Sequence, residues 1–246
     1  MECRFQEPRR VLRRKGSGFL RIGALAAALT TSSVIGAADE ITADIKCNDD
    51  AMLVFDASGS MSGNERLGIG SVVTRIDKVR RALETALPSV TPHRRIGLIT
   101  YGPGPYNRCD NIALNLAPQA NAGPRIIAEI NGLIPAGRTP LTSAVEHAAE
   151  VLDYKHKAAL VVLLTDGEET CGRQPCALAK SLKASGANIV VHVIGYRMHD
   201  FSWTGGQGIF DVQCMARETN GDYISADSVE DLIAALNKTL GCPIVM

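Results

Sequence analysis

The chain has 246 residues, of which 46% are hydrophobic and 21% charged, and its 26 Lys and Arg are balanced by 26 Asp and Glu. So high an apolar content excludes a disordered polymer, and the balanced charge excludes the basic footprint expected of a nucleic-acid binder. The balance is nevertheless uneven along the chain: seven bases against two acids in residues 1–38 give +5, and 19 bases against 24 acids beyond give −5.

Residues 1–21 carry Arg4, Arg9, Arg10, Arg13, Arg14, Lys15 and Arg21. An uncharged stretch from Ile22 to Ala38 follows and ends in Gly36-Ala37-Ala38. Basic, apolar and then small is the order of a secretory signal, which predicts cleavage after Ala37 or Ala38. The alternative is an uncleaved anchor, but the stretch is marginal for spanning and Thr30-Thr31-Ser32-Ser33 interrupts it. The pairs Arg9-Arg10 and Arg13-Arg14 leave twin-arginine export open beside the general route. The expected organisation is a signal over 1–38 and one domain over 39–246, with its core at about 49–240. The expected destination is the periplasm or the extracellular space. Six cysteines remain after the signal: Cys47, Cys109, Cys171, Cys176, Cys214 and Cys242. An even number in an exported chain favours disulfides over a zinc site, for which only Cys171 and Cys176 have suitable spacing.

The predicted strands are Ala51–Asp56, Arg95–Tyr101, Asn111–Leu116, Ala158–Thr165, Asn188–Tyr196 and Asp222–Ser225. Four are unbroken apolar runs, the pattern of strands covered on both faces, whereas Asn111–Leu116 alternates like an edge strand. The predicted helices are Val72–Leu87, ended by Pro88, then Pro124–Leu133, Leu141–Leu152, Pro175–Ser185, Ile209–Thr219 and Ser228–Leu240. This alternation implies an α/β fold: a doubly wound, mostly parallel six-stranded sheet with one antiparallel edge strand and helices on both faces. Ligands of such folds sit at the carboxyl ends of the strands, where strand order reverses.

Three motifs fall at such ends. Asp56-Ala57-Ser58-Gly59-Ser60 follows the first strand, Thr165-Asp166-Gly167 ends another, and Gly137-Arg138-Thr139-Pro140-Leu141 lies between them. Their side chains are hard oxygen donors suited to a small divalent cation. Taken alone, Asp-x-Ser-x-Ser reads equally as a strand-ending turn, and Thr139 as the cap of the following helix. With all three motifs present, the chain resembles the von Willebrand factor type A domain over roughly Asp49 to Leu240, and most of all its exported bacterial members. The resemblance implies a metal-ion-dependent adhesion site made of Asp56, Ser58, Ser60, Thr139 and Asp166. It implies Mg2+, with Mn2+ or Ca2+ as alternatives, held directly by Ser58 and Ser60 and largely through water by the two aspartates. It further implies capture of a carboxylate from a protein partner, as in cell adhesion, and no enzyme activity. The alternatives are a metal-assisted hydrolase, with Glu168 or His199 as the nearest bases, and an assembly subunit in which the ion only ties loops together.

Gly59 is expected to permit the tight turn between the two serines. The rim is expected from residues 101–110 and 197–208, with Trp203, Tyr106, Arg108, Arg138 and Arg173 as anchors. Glu168 and Glu169 read as loop or first-turn acids, and His192 as a satisfied core residue. From topology Cys47 should pair with Cys242. The other four cysteines fit either Cys109–Cys171 with Cys176–Cys214 or Cys171–Cys176 with Cys109–Cys214.

Overall fold

The computed structural model describes residues 46–66, 72–198 and 207–242. The predicted signal, His199 and Trp203 lie outside these residues. Among those described, no helix is long and apolar enough to cross a membrane.

Six strands form one sheet in the order β5-β4-β1-β6-β7-β8, namely Ile112–Gln119, Ile96–Tyr101, Ala51–Asp56, Ala159–Thr165, Ile189–Tyr196 and Tyr223–Ala226. All pairings are parallel except β4 with β5, so the alternating segment is the antiparallel edge strand. Helices cover both faces because every residue of β1 and β6 is buried and successive side chains point opposite ways. Leu53 and Phe55 pack with α1 (Arg75–Val90), α2 (Gly123–Asn131) and α6 (Val229–Leu240). Met52 and Val54 pack on the other side with α3 (Leu141–Val151), α4 (Pro175–Ala184) and α5 (Gln207–Glu218). Strand order reverses beside β1, which lies between β4 and β6, so the carboxyl ends of β1 and β6 are neighbours.

Several boundaries differ from expectation, with β5 running on to Gln119. Val72 and Val73 are not in a helix but in β3 (Val72–Thr74), which forms a separate antiparallel hairpin with β2 (Asn64–Arg66). The helix begins at Arg75, three residues later than expected, where Thr74 and Asp77 close a capping box. Pro88 lies inside α1, which continues to Val90, and Pro140 occupies the cap position before α3 rather than its first turn.

The disulfides are Cys47–Cys242, Cys109–Cys171 and Cys176–Cys214. The first joins the two ends of the described domain, as topology predicts. The second joins the β4–β5 loop to the loop after β6, and the third ties α4 to α5. Of the two open arrangements, the structure has Cys109–Cys171 with Cys176–Cys214.

Candidate metal centre

β1 and β6 deliver Asp56 and Asp166 side by side, and both are fully buried. Below Asp56 the chain turns into a short 3-10 segment, Gly59–Ser62, that folds the two serines back toward the sheet. The Ser58 amide donates to Asp56 Oδ1 at 2.8 Å, the Ser58 and Ser60 hydroxyls are 3.0 Å apart, and Ser60 Oγ donates to Asp166 Oδ1 at 2.6 Å. Four of the five expected residues therefore form one continuous chain of contacts.

Thr139, 5% exposed, lines the same pocket of about 220 Å3 as Ser58 and Ser60. Its amide donates to Thr170 Oγ1 at 2.8 Å, and its carbonyl accepts from the Thr170 amide at 3.1 Å. No side-chain cap bond closes the start of α3, and the Thr139 hydroxyl makes no hydrogen bond among the described residues. The capping alternative is thus absent, and this hydroxyl is available to a ligand.

The glycine that shapes the site is not the one expected. A Cβ on Gly59 would have ordinary contact, 3.4 Å from Gly137 O. Gly102 and Gly137 are the constrained positions, at φ +112° and +72°. A Cβ on Gly102 would meet Ser58 N at 2.2 Å, and one on Gly137 would meet Gly102 O at 2.3 Å. These close approaches stack the β4–β5 loop, the Asp-x-Ser-x-Ser turn and the loop before α3 against one another.

Charge within the site is unbalanced. Burial, and then the neighbouring Asp56, raise the Asp166 pKa to about 6, although Ser60 and Arg75 act the other way. Burial also raises Asp56, against hydrogen bonds from Ser58 and Thr165. Two buried carboxylates that repel each other, with three hydroxyls beside them, match the charge and hardness of a small dication. The residues fit such an ion.

Four contributors were not foreseen. Thr165 Oγ1 donates to Asp56 Oδ2 at 2.6 Å and so orients that carboxylate. Tyr101, fully buried at the end of β4, has a hydroxyl with no hydrogen bond among the described residues. Burial and then the charge of Asp56 push its pKa up. Arg75 Nη1 donates to Asp166 Oδ2 at 3.0 Å, and Glu65 lies beyond Arg75. One local signal pointed to Arg75: a cation in the first turn of a helix opposes the helix dipole and so needs another reason to be there.

At the rim, Tyr106 is exposed and Arg138 donates to the carbonyls of Tyr106 and Thr170. Both line the pocket. Arg108 and Arg173 instead pair with Asp110 and Glu146. Glu169 is the loop acid expected, accepting from the Thr142 amide at 2.9 Å and the Cys171 amide at 2.7 Å. Glu168 differs: it lines the pocket, with its buried Oε1 unpartnered among the described residues. His192 is satisfied, its Nδ1 accepting from the Asp222 amide at 2.9 Å, and burial lowers its pKa.

Residues 51–169 match the family model of the von Willebrand factor type A domain. The uncharacterised protein YwmD of Bacillus subtilis is 26% identical over 215 residues, covering 82% of this chain and 89% of that one. Among solved structures, the vWF domain of the type V pili tip protein Mfa5 from Porphyromonas gingivalis superposes with a TM-score of 0.55 at 14% identity. That match covers 80% of this chain and 95% of that one. Proximal thread matrix protein 1 from the mussel byssus, with a zinc-occupied MIDAS motif, gives 0.52 at 18% identity, covering 79% of this chain and 48% of that one. At such identities the structural likenesses establish the fold.

Proposed function

The chain carries a von Willebrand factor type A domain, and on that premise we propose that it is an exported protein-binding module. A divalent cation at Asp56, Ser58, Ser60, Thr139 and Asp166 would capture a carboxylate from the partner. The observation that carries this reading is the pair of buried aspartates joined through Ser58 and Ser60, with the Thr139 hydroxyl, unpartnered among the described residues, on the same pocket as the serines. When bound, the cation supplies an electrophilic centre for one more anionic oxygen. Ser58, Ser60 and Thr139 offer neutral donors, so the negative charge beside the ion would come from Asp56 and Asp166. The backbone contacts of Gly59 with Gly137 and of Thr139 with Thr170 hold those donors in place before binding. Tyr106 and Arg138 stand at the pocket edge, where an approaching acidic segment would meet them.

Three neighbouring facts support the reading. Three disulfides suit an oxidising compartment outside the cytoplasm. A pilus tip protein has this fold, as does a byssus protein described with zinc in the corresponding motif. Mg2+ is the ion proposed, because its preference for oxygen donors and retained water matches the donor set, with Mn2+ and Ca2+ next.

Calorimetric titration of the full chain with MgCl2 tests this. Saturable binding is expected, lost by at least about 100-fold in Asp56→Ala while the circular dichroism spectrum persists. No saturable heat with any of the three cations would overturn the proposal. A metal-assisted hydrolase would need Glu168 as its base, since it is the further carboxylate lining the pocket. Metal-dependent turnover of ester or phosphate substrates, lost in Glu168→Gln, would favour that second reading.

A further inference from the structure

Arg75 connects the metal centre to a second charged cluster. Its side chain is 16% exposed, and it reaches from the first turn of α1 to Asp166 Oδ2 at 3.0 Å, while its Nε stands 4.0 Å from Glu65 Oε1. Glu65, 7% exposed, comes from β2 of the small hairpin. Lys78 pairs with its Oε2, Arg197 Nη1 lies 3.4 Å from the same oxygen, and Tyr196 Oη donates to its two oxygens at 3.3 and 3.2 Å. Asp166, Arg75, Glu65, Lys78 and Arg197 thus form one continuous chain of ion pairs leading away from the metal centre.

Among the described residues, the acids at 56, 65 and 166 stand together with the cations at 75, 78 and 197. A dication placed beside Asp166 would lie close to the Arg75 guanidinium, which Asp166 holds at 3.0 Å, and the two like charges would repel each other. A neutral residue at position 75 would remove that opposition. A neutral residue at 65 would strengthen it, because three cations would then share one carboxylate fewer.

We infer that Arg75 is an internal counter-cation of the metal centre, standing between Asp166 and Glu65 of the β2–β3 hairpin, and that it lowers metal affinity, an opposition that an incoming anion relieves. This rests on the metal-binding reading above and deepens it. The divalent ion and the partner's carboxylate become linked ligands, each bound better in the presence of the other. Arg75 is a positioning residue here, acting on the ion through Asp166.

The test is calorimetric titration of the full chain with MgCl2 and with MnCl2, comparing wild type, R75Q, R75K, E65Q and the R75Q/E65Q double variant. Circular dichroism serves as a check on folding. R75Q is expected to bind at least about tenfold more tightly, E65Q several-fold more weakly, the double variant close to wild type, and R75K close to wild type. A purely structural role would weaken both single variants, so the opposed signs identify the charge effect. Acetate added in excess is expected to tighten metal binding in wild type and to matter less in R75Q. Saturable wild-type binding with R75Q unchanged or weaker would overturn this inference alone. Absence of saturable binding in wild type and R75Q alike would overturn the metal reading together with it.

Discussion

Each end of the central sheet buries charge, and the two ends treat it differently. At the amino end Arg94 is 4% exposed and gives every donor recorded for it to a carbonyl: Nε to Leu240 at 3.0 Å, and Nη1 to Lys46 at 3.0 Å and Asp49 at 3.1 Å. The Cys47–Cys242 disulfide joins the same two chain ends. At the carboxyl end Asp56 and Asp166 receive hydrogen bonds too, and Asp166 an ion pair from Arg75, yet both pKa values are raised, because these partners do not offset burial and, for Asp166, the charge of Asp56. The buried cation closes the fold, and the buried acids remain a request for a ligand. A charge whose partners all belong to the backbone is structural, whereas buried acids whose partners do not offset their burial mark where something else binds.

That contrast can be broken most forcefully at the amino end. Arg94→Ala should lower stability by about 3 kcal/mol, since three carbonyls lose a charged donor in a buried setting. Chemical denaturation checks this. Mg2+ affinity should stay within about twofold of wild type, and a large loss of affinity would show that the two ends are not separable.

The carboxyl end makes the opposite prediction through pH. Asp166 titrates at about 6 in the folded chain against a reference of 3.8, so the folded state binds more protons between those values. Stability of the metal-free protein should therefore be greatest below about pH 4 as far as this group is concerned, and should fall as pH rises through 6. The loss is on the order of 2 kcal/mol after allowance for coupling to Asp56. Asp166→Asn should flatten that slope. Melting scans across pH in the presence of a chelator provide the measurement.

Much of this contrast was legible in the sequence, and the missing parts share a physical cause. Unbroken apolar runs marked β1 and β6, and the motifs at their ends brought Asp56, Ser58, Ser60, Thr139 and Asp166 to one place because strand order dictates that carboxyl ends share a rim. The β2–β3 hairpin was missed because Asn64–Arg66 has no apolar alternation, while Val72 and Val73 matched a helical period although Val72 is largely exposed. Glu65 and Arg75 escaped because ion pairing over long sequence separations leaves no periodic trace. Thr165 and Tyr101 were read as strand ends, and only packing shows that they face the aspartates. The weight placed on Gly59 belonged to Gly102 and Gly137, since a glycine's necessity depends on which backbone approaches it.

The smallest expected effect makes the distinction sharpest, because it concerns an acid only three residues beyond Asp166. Glu169 is on the same loop and has the same formal charge, but its two oxygens accept from the amides of Thr142, in the first turn of α3, and Cys171. A carboxylate there complements the helix dipole and satisfies donors that would otherwise lack partners. Glu169→Ala should therefore lower stability by about 1 kcal/mol, in the range of a lost cap, and leave Mg2+ affinity within about twofold. Asp166→Ala should differ in kind, with metal binding lost whatever its effect on stability through the partner it takes from Arg75. If Glu169→Ala cost as much metal affinity as Asp166→Ala, nearness to the ion rather than lack of compensation would be what defines a functional acid on this rim, and the comparison between the two ends of the sheet would have to be abandoned.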